Sequence, residues 1–191
     1  DNDGLQRFYK YNSTSGKDTE LIKDLVVAYP MWYNKNTLVS SVIVNDTLEL
    51  FVSNLKNKTN TSITKQTGRS FHKIPNSDLV SFMKKNGKYW GIWSLNPITK
   101  ERKEITTTIH IQDVCWLPNG NLLLADNNKL LQYSPMEDKW SYFFEFLFII
   151  ALAKKLPEGR SILKIIASNE RSPVLISIAS MALTSGARLL D

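Results

Sequence analysis

Apolar and polar residues alternate along most of this chain with a period of two, the pattern of strands that bury one face. The alternation is organised in units. The stretch Asp113 to Phe146, DVCWLPNGNLLLADNNKLLQYSPMEDKWSYFFEF, reads as four short strands joined by tight turns. Upstream, the same layout returns at a spacing of about 42 residues: Trp32 in YPMWYN, Ile74 in FHKIPN and Trp116 in DVCWLPN occupy equivalent places. Two further series keep the same step. Leu38, Leu79 and Leu122 open apolar runs, and Leu5, Leu48, Trp90 and Leu130 open the next ones.

Between the second and third strands of each unit stands a turn signal: Asn45-Asp46, Asn86-Gly87 and Asp126-Asn127-Asn128. Such pairs accept the positive φ angles that two-residue hairpins require. Polar loops, Asn54 to Ser62 and Asn96 to Glu104, lead to fourth strands expected at Ile63, at Ile105 to Ile111 and at Ser141 to Phe146. A unit of 40 to 45 residues that folds into four antiparallel strands is a β-propeller blade. A sandwich also has short, evenly spaced strands, but nothing in it demands a fixed register across three series. The predicted fold is therefore all-β: a partial β-propeller of about three and a half four-stranded blades over residues 1–146, with units of roughly 1–26, 27–68, 69–111 and 112–146. Leu5 to Asn12 and Thr19 to Leu25 match a third and a fourth strand without a first pair before them. Natural propellers close with four to eight blades, so further repeats are expected in the full protein, and open blade edges would favour self-association.

From Leu147 the period moves toward 3.6. FLFIIALAKKL, SILKIIASNE and VLISIASMALTSGARLL read as helices, the last with Ser172 as N-cap, Pro173 in the first turn and Gly186 as stop. This tail, residues 147–191, is expected to be a helical segment, native, fused or foreign to the propeller.

Composition adds bounds and no chemistry. The net charge of +6 separates into 18 basic and 15 acidic residues before position 147 and 6 and 3 after it, without a dense basic block, so the propeller part is not expected to bind nucleic acid. Cys115 is the only cysteine, which excludes an intrachain disulfide and a multi-cysteine metal site. The most apolar run, Phe143 to Ala153, contains Glu145 and is too short to span a bilayer. The chain opens at Asp1 without a signal-like region and is expected to be a processed or partial product.

The histidines, His72 and His110, are 38 residues apart without an HExxH pairing or carboxylate cluster, so no metal and no cofactor are expected. Gly68-Arg69-Ser70 is not a G-x-S-x-G elbow, and no base or orienting residue can be assigned to Ser70. First strands line the channel of a propeller, so Arg69, His72 and Lys73, with Asp113 and Trp116 one repeat later, are the candidate binding residues of a channel rim. Trp32 and Trp116 are read first as inter-blade core. Four N-x-S/T triplets begin at Asn12, Asn45, Asn57 and Asn60, and bear on glycosylation only in a eukaryotic secreted protein.

The segments YPMWYN, IPNSDLVSFMKK and CWLPNGNLLLAD resemble the repeat of TolB-like and related WD-repeat-like propellers, although Pro is missing after Trp32 and Ile74 stands where the other copies have Trp. The resemblance implies an extracytoplasmic, periplasmic-type scaffold that holds a protein or peptide at the channel mouth without catalysis. The tail segment LPEGRSILKIIASNERSPVLISIASMALTSGARLLD is similar to the opening of a tyrosine recombinase catalytic domain, which implies Arg188 as a phosphate-binding residue, with Asp191 three positions on. The alternative class is thus an enzyme remnant: the propeller of a hydrolase, or a recombinase-like DNA-binding tail.

Overall fold

The computed structural model describes residues 6–127 and 129–145. The expected helices of residues 147–191, and with them Arg188, lie outside the described residues. Those described contain strands and turns and no helix: β1 (Phe8–Tyr11), β2 (Asp18–Ile22), β3 (Val26–Asn34), β4 (Thr37–Val44), β5 (Thr47–Asn54), β6 (Thr59–Lys65), β7 (Thr67–Lys73), β8 (Val80–Asn86), β9 (Tyr89–Leu95), β10 (Arg102–Thr108), β11 (Val114–Trp116), β12 (Leu122–Asp126), β13 (Lys129–Ser134) and β14 (Lys139–Glu145). They form one two-stranded sheet, β1-β2, and three four-stranded antiparallel meanders, β3 to β6, β7 to β10 and β11 to β14. The chain divides into two compact units, Asp1–Gln112 and Asp113–Asp191.

Local chemistry explains the turns. Asn45 and Asp46 have φ of 46° and 60°, so both central residues of the β4–β5 hairpin are left-handed, as a type I′ turn requires. The β8–β9 turn is centred one residue later than Asn-Gly suggests, on Gly87 and Lys88, with only Gly87 left-handed.

The loop between third and fourth strands carries a second repeat. Asn12 Oδ1 accepts the amides of Thr14 and Ser15, Asn54 Oδ1 those of Lys56 and Asn57, and Asn96 Oδ1 those of Ile98 and Thr99, at 2.9 to 3.2 Å. Four residues after each asparagine the chain is left-handed, at Gly16, Lys58 and Lys100. In the second unit Ser134 takes the asparagine's place, accepting from Glu137 N, and Asp138 is the left-handed residue.

In the first unit the sheets pack face to face. Val39, Leu50 and Val52 meet Val80, Phe82 and Leu95 between β3–β6 and β7–β10, with Met31, Ile63, Phe71 and Trp93 at the margin. The opposite face of β3–β6 presents Leu38 and Val42 to Ile22, Leu21 and Phe8 of the two-stranded sheet. Side chain to main chain bonds tie the two larger sheets together: Ser41 Oγ donates to Gly68 O at 2.6 Å, Tyr33 OH to Asp78 O at 3.1 Å, and the Arg102 guanidinium to Ile63 O. In the second unit Cys115, Leu117 and Leu123 form a core cluster, and the Tyr133 and Trp140 rings pack at a tilt with centres 5.1 Å apart.

The last strand of each meander departs most from the sequence reading. Strands β6 and β10 begin at Thr59 and Arg102, ahead of the expected Ile63 and Ile105, and β10 ends at Thr108, which leaves His110 beyond it. These strands have one free edge and mostly exposed side chains, so an apolar alternation does not mark their starts.

Candidate functional site

Strands β3 and β7 open their sheets and are the ones that border a propeller's channel. The β7–β8 ladder breaks between Thr67 and Phe71. Gly68 lies in that break because its backbone runs close to β8: a Cβ there would sit 2.9 Å from Met83 Cβ. Beyond it, Arg69 is exposed, Ser70 is buried, His72 is half-buried and Lys73 is exposed.

Ser70 Oγ and His72 Nε2 lie 3.1 Å apart, within hydrogen-bonding distance, and Ser81 Oγ donates to the His72 carbonyl at 3.4 Å. The Lys73 ammonium sits 5.9 Å from the centre of the Tyr33 ring. Arg69 and Lys73 are four residues apart on an extended strand, roughly 13 Å along it. The strand therefore spaces the three residues out, Arg69 near one end and Lys73 at the other, and does not gather them into one cavity.

Asp113 and Trp116 belong to the second unit, the first just ahead of β11 and the second at its end, both half-buried. Between them Cys115 is buried, and desolvation pushes its thiol up to about 11. Among the described residues no group of three or more His, Cys, Asp or Glu side chains converges as a metal site would require.

Two features of the surface escape the sequence reading. On β3, Tyr29 is 42% and Trp32 45% exposed, although Trp32 leans on Phe8 with ring centres 6.0 Å apart. The expectation of Trp32 as buried core thus gives way to a half-open indole that leans on Phe8 of the two-stranded sheet. The second feature is the β8–β9 turn, where Lys84, Lys85 and Lys88 surround Gly87. Its signal was the density of lysine beside the Asn-Gly pair.

No family model and no curated protein matches this chain. Solved structures do. An oligogalacturonate lyase in complex with manganese superposes with a TM-score of 0.59 at 13% identity, over 73% of this chain and 42% of that one. TolB from Acinetobacter baumannii gives 0.50 at 11% identity, over 70% and 36%, and a nidogen/laminin complex 0.50 at 14%, over 73% and 56%. The chain thus spans less than two thirds of the length of each. With the four-stranded meanders, these likenesses define the class: the described residues are a partial β-propeller, similar in fold to TolB and to other propeller proteins.

Proposed function

We propose that this chain is the binding part of a non-catalytic propeller scaffold that holds a protein or peptide against its channel-side strands. The observation that carries the reading is the exposure of Tyr29 and Trp32 on β3. Flat aromatic groups held on a rigid strand bury large area on contact at little entropic cost, which is why they recur as anchors of peptide and protein recognition. Arg69 and His72 on β7 supply polar contacts within the same unit. The nidogen/laminin complex shows that a fold of this class takes part in a protein complex, which supports the reading by analogy alone.

An extracytoplasmic setting goes with the TolB likeness. No helix among the described residues is long and apolar enough to cross a membrane. In this proposal residues 1–146 belong to the propeller and residues 147–191 are a separate segment.

The test is affinity enrichment from an extracytoplasmic extract followed by mass spectrometry, with the whole chain and with a Tyr29→Ala, Trp32→Ala, Arg69→Ala, His72→Ala variant as paired baits. A partner enriched by the first bait and lost with the second is the expected outcome. Equal recovery by both baits sinks the reading.

A further inference from the structure

We infer that the bound segment is acidic and that the β8–β9 hairpin reads it, which rests on the peptide-binding reading above and adds the partner's chemistry. Lys84, Lys85 and Lys88 fall within five residues, and Tyr89 follows them. Register places Lys84 opposite Gly91 and Lys85 opposite Trp90, so these two lysines project from opposite faces of the sheet while Lys88 occupies the tip. Two bonds fix the hairpin against the connection that enters β7: Lys85 N donates to Gln66 O at 2.8 Å, and Thr67 Oγ1 to Met83 O at 2.9 Å. The lysines therefore stand at the end of the sheet from which Arg69 emerges.

What singles out this hairpin is that three cations fall within five residues. The carboxylate on the Lys84 face is that of Glu104, which reaches over Gly91. Among the described residues no carboxylate pairs with Lys84, Lys85 or Lys88. Lys84 instead holds its ammonium 5.2 Å from the centre of the Trp93 ring, and the other two extend into solvent. Three like charges on one turn repel one another, and carboxylates brought by a ligand relieve that repulsion.

Tyr89, 54% exposed, shares the Lys84 face and adds an apolar surface beside the cations. Arg102 and Lys103 pair with Leu95 and Ser94 at the opposite end of the sheet, so the positive charge does not continue from the hairpin as a track. A nucleic acid, held by many successive phosphates, gains little from so short a patch. An extended peptide rich in Asp and Glu carries carboxylates on both of its sides and can meet the lysines on either face of the hairpin.

The experiment selects random linear peptides displayed on phage against the full chain at low ionic strength, then measures the selected peptides by fluorescence anisotropy. The inference expects selected sequences enriched in Asp and Glu, bound at least about tenfold more weakly by a Lys84→Gln, Lys85→Gln, Lys88→Gln variant, with the difference shrinking as salt is added. A Lys85→Gln, Lys88→Gln variant, which leaves the Lys84–Trp93 contact intact, should show the same direction and guards against misfolding of the triple variant. Selected peptides without acidic enrichment, bound equally by the variants, overturn the inference and leave the peptide reading standing. Failure to select any peptide overturns both. A single-stranded oligonucleotide that binds more tightly than the acidic peptides, and is lost with the same lysines, also overturns it.

Discussion

Ser41 donates its hydroxyl to the carbonyl of Gly68 across the seam between two sheets, at 2.6 Å and out of solvent. The bond uses a residue of β4 and a residue in the broken part of the β7 ladder, so it couples the blade core to the strand that carries Arg69 and His72. Ser41→Ala leaves a buried carbonyl short of a donor and should lower stability by about 1 kcal/mol. Gly68→Ala drives a Cβ against Met83 Cβ, part of a rigid strand, and should cost about 1–3 kcal/mol. Urea unfolding of both single variants and the double checks this. The double should lose less than the sum, because each change damages the same seam.

Ser40 and Ser53 are fully or almost fully buried, and their hydroxyls have no hydrogen-bond partner. Register pairs Ser40 with Phe51 and Leu38 with Ser53, which puts both hydroxyls on the face turned toward the two-stranded sheet. Removing a buried, unpaired hydroxyl removes its desolvation penalty. Ser40→Ala and Ser53→Ala should each be neutral or stabilising by up to about 1 kcal/mol, read as an unchanged or raised midpoint of thermal unfolding.

The Asx-capped loops offer a matched pair of changes. Asn54→Ala deletes two side chain to backbone bonds of 3.0 Å and should cost about 1 kcal/mol. Lys58, at φ 54°, holds a conformation that side chains with a Cβ resist, so Lys58→Gly should recover roughly 0.5–1 kcal/mol. Chemical denaturation of the single and double variants is the measurement.

Cys115 sets a pH dependence on the alkaline side. Burial raises its folded-state value from 9.0 to about 11. The unfolded chain releases the proton first as pH rises, so the thiol's contribution is complete below pH 9 and is lost between pH 9 and about 11, by roughly 2 kcal/mol. Cys115→Ala should flatten this part of the stability profile. The same burial makes alkylation by iodoacetamide at pH 8 far slower in the folded chain than in urea.

Ser70 and His72 stand at the distance of a nucleophile and its base, but the serine is only 8% exposed. In a scaffold this pair is structural. A fluorophosphonate probe should leave Ser70 unlabelled, as read by peptide mass spectrometry, and an adduct there would refute the non-catalytic reading.

How far the sequence carried the fold depends on which strand is considered. The second and third strands of each meander are the most buried, and the apolar runs opened by Leu38, Leu79 and Leu122 and by Leu48, Trp90 and Leu130 located them. Outer strands such as β6, TNTSITK, bury almost nothing on either face, so their starts were displaced toward the first isoleucine. The repeat of Asn12, Asn54 and Asn96 at 42-residue steps was present in the sequence, yet an isolated asparagine in a polar loop looks the same whether or not it caps a turn. The rim residues were placed by topology alone. Topology does not say that Trp32 is half open, since that depends on the small sheet beside β3.

The capped loop also bears on how such a chain can change over generations. Each loop closes on bonds between its own neighbouring residues and asks for one left-handed step, met here by glycine, lysine or aspartate. A gene segment of one period, duplicated or deleted with both breakpoints inside this loop, would join two half-loops that already share a conformation. The number of blades in a lineage can then drift by whole units while every junction stays foldable.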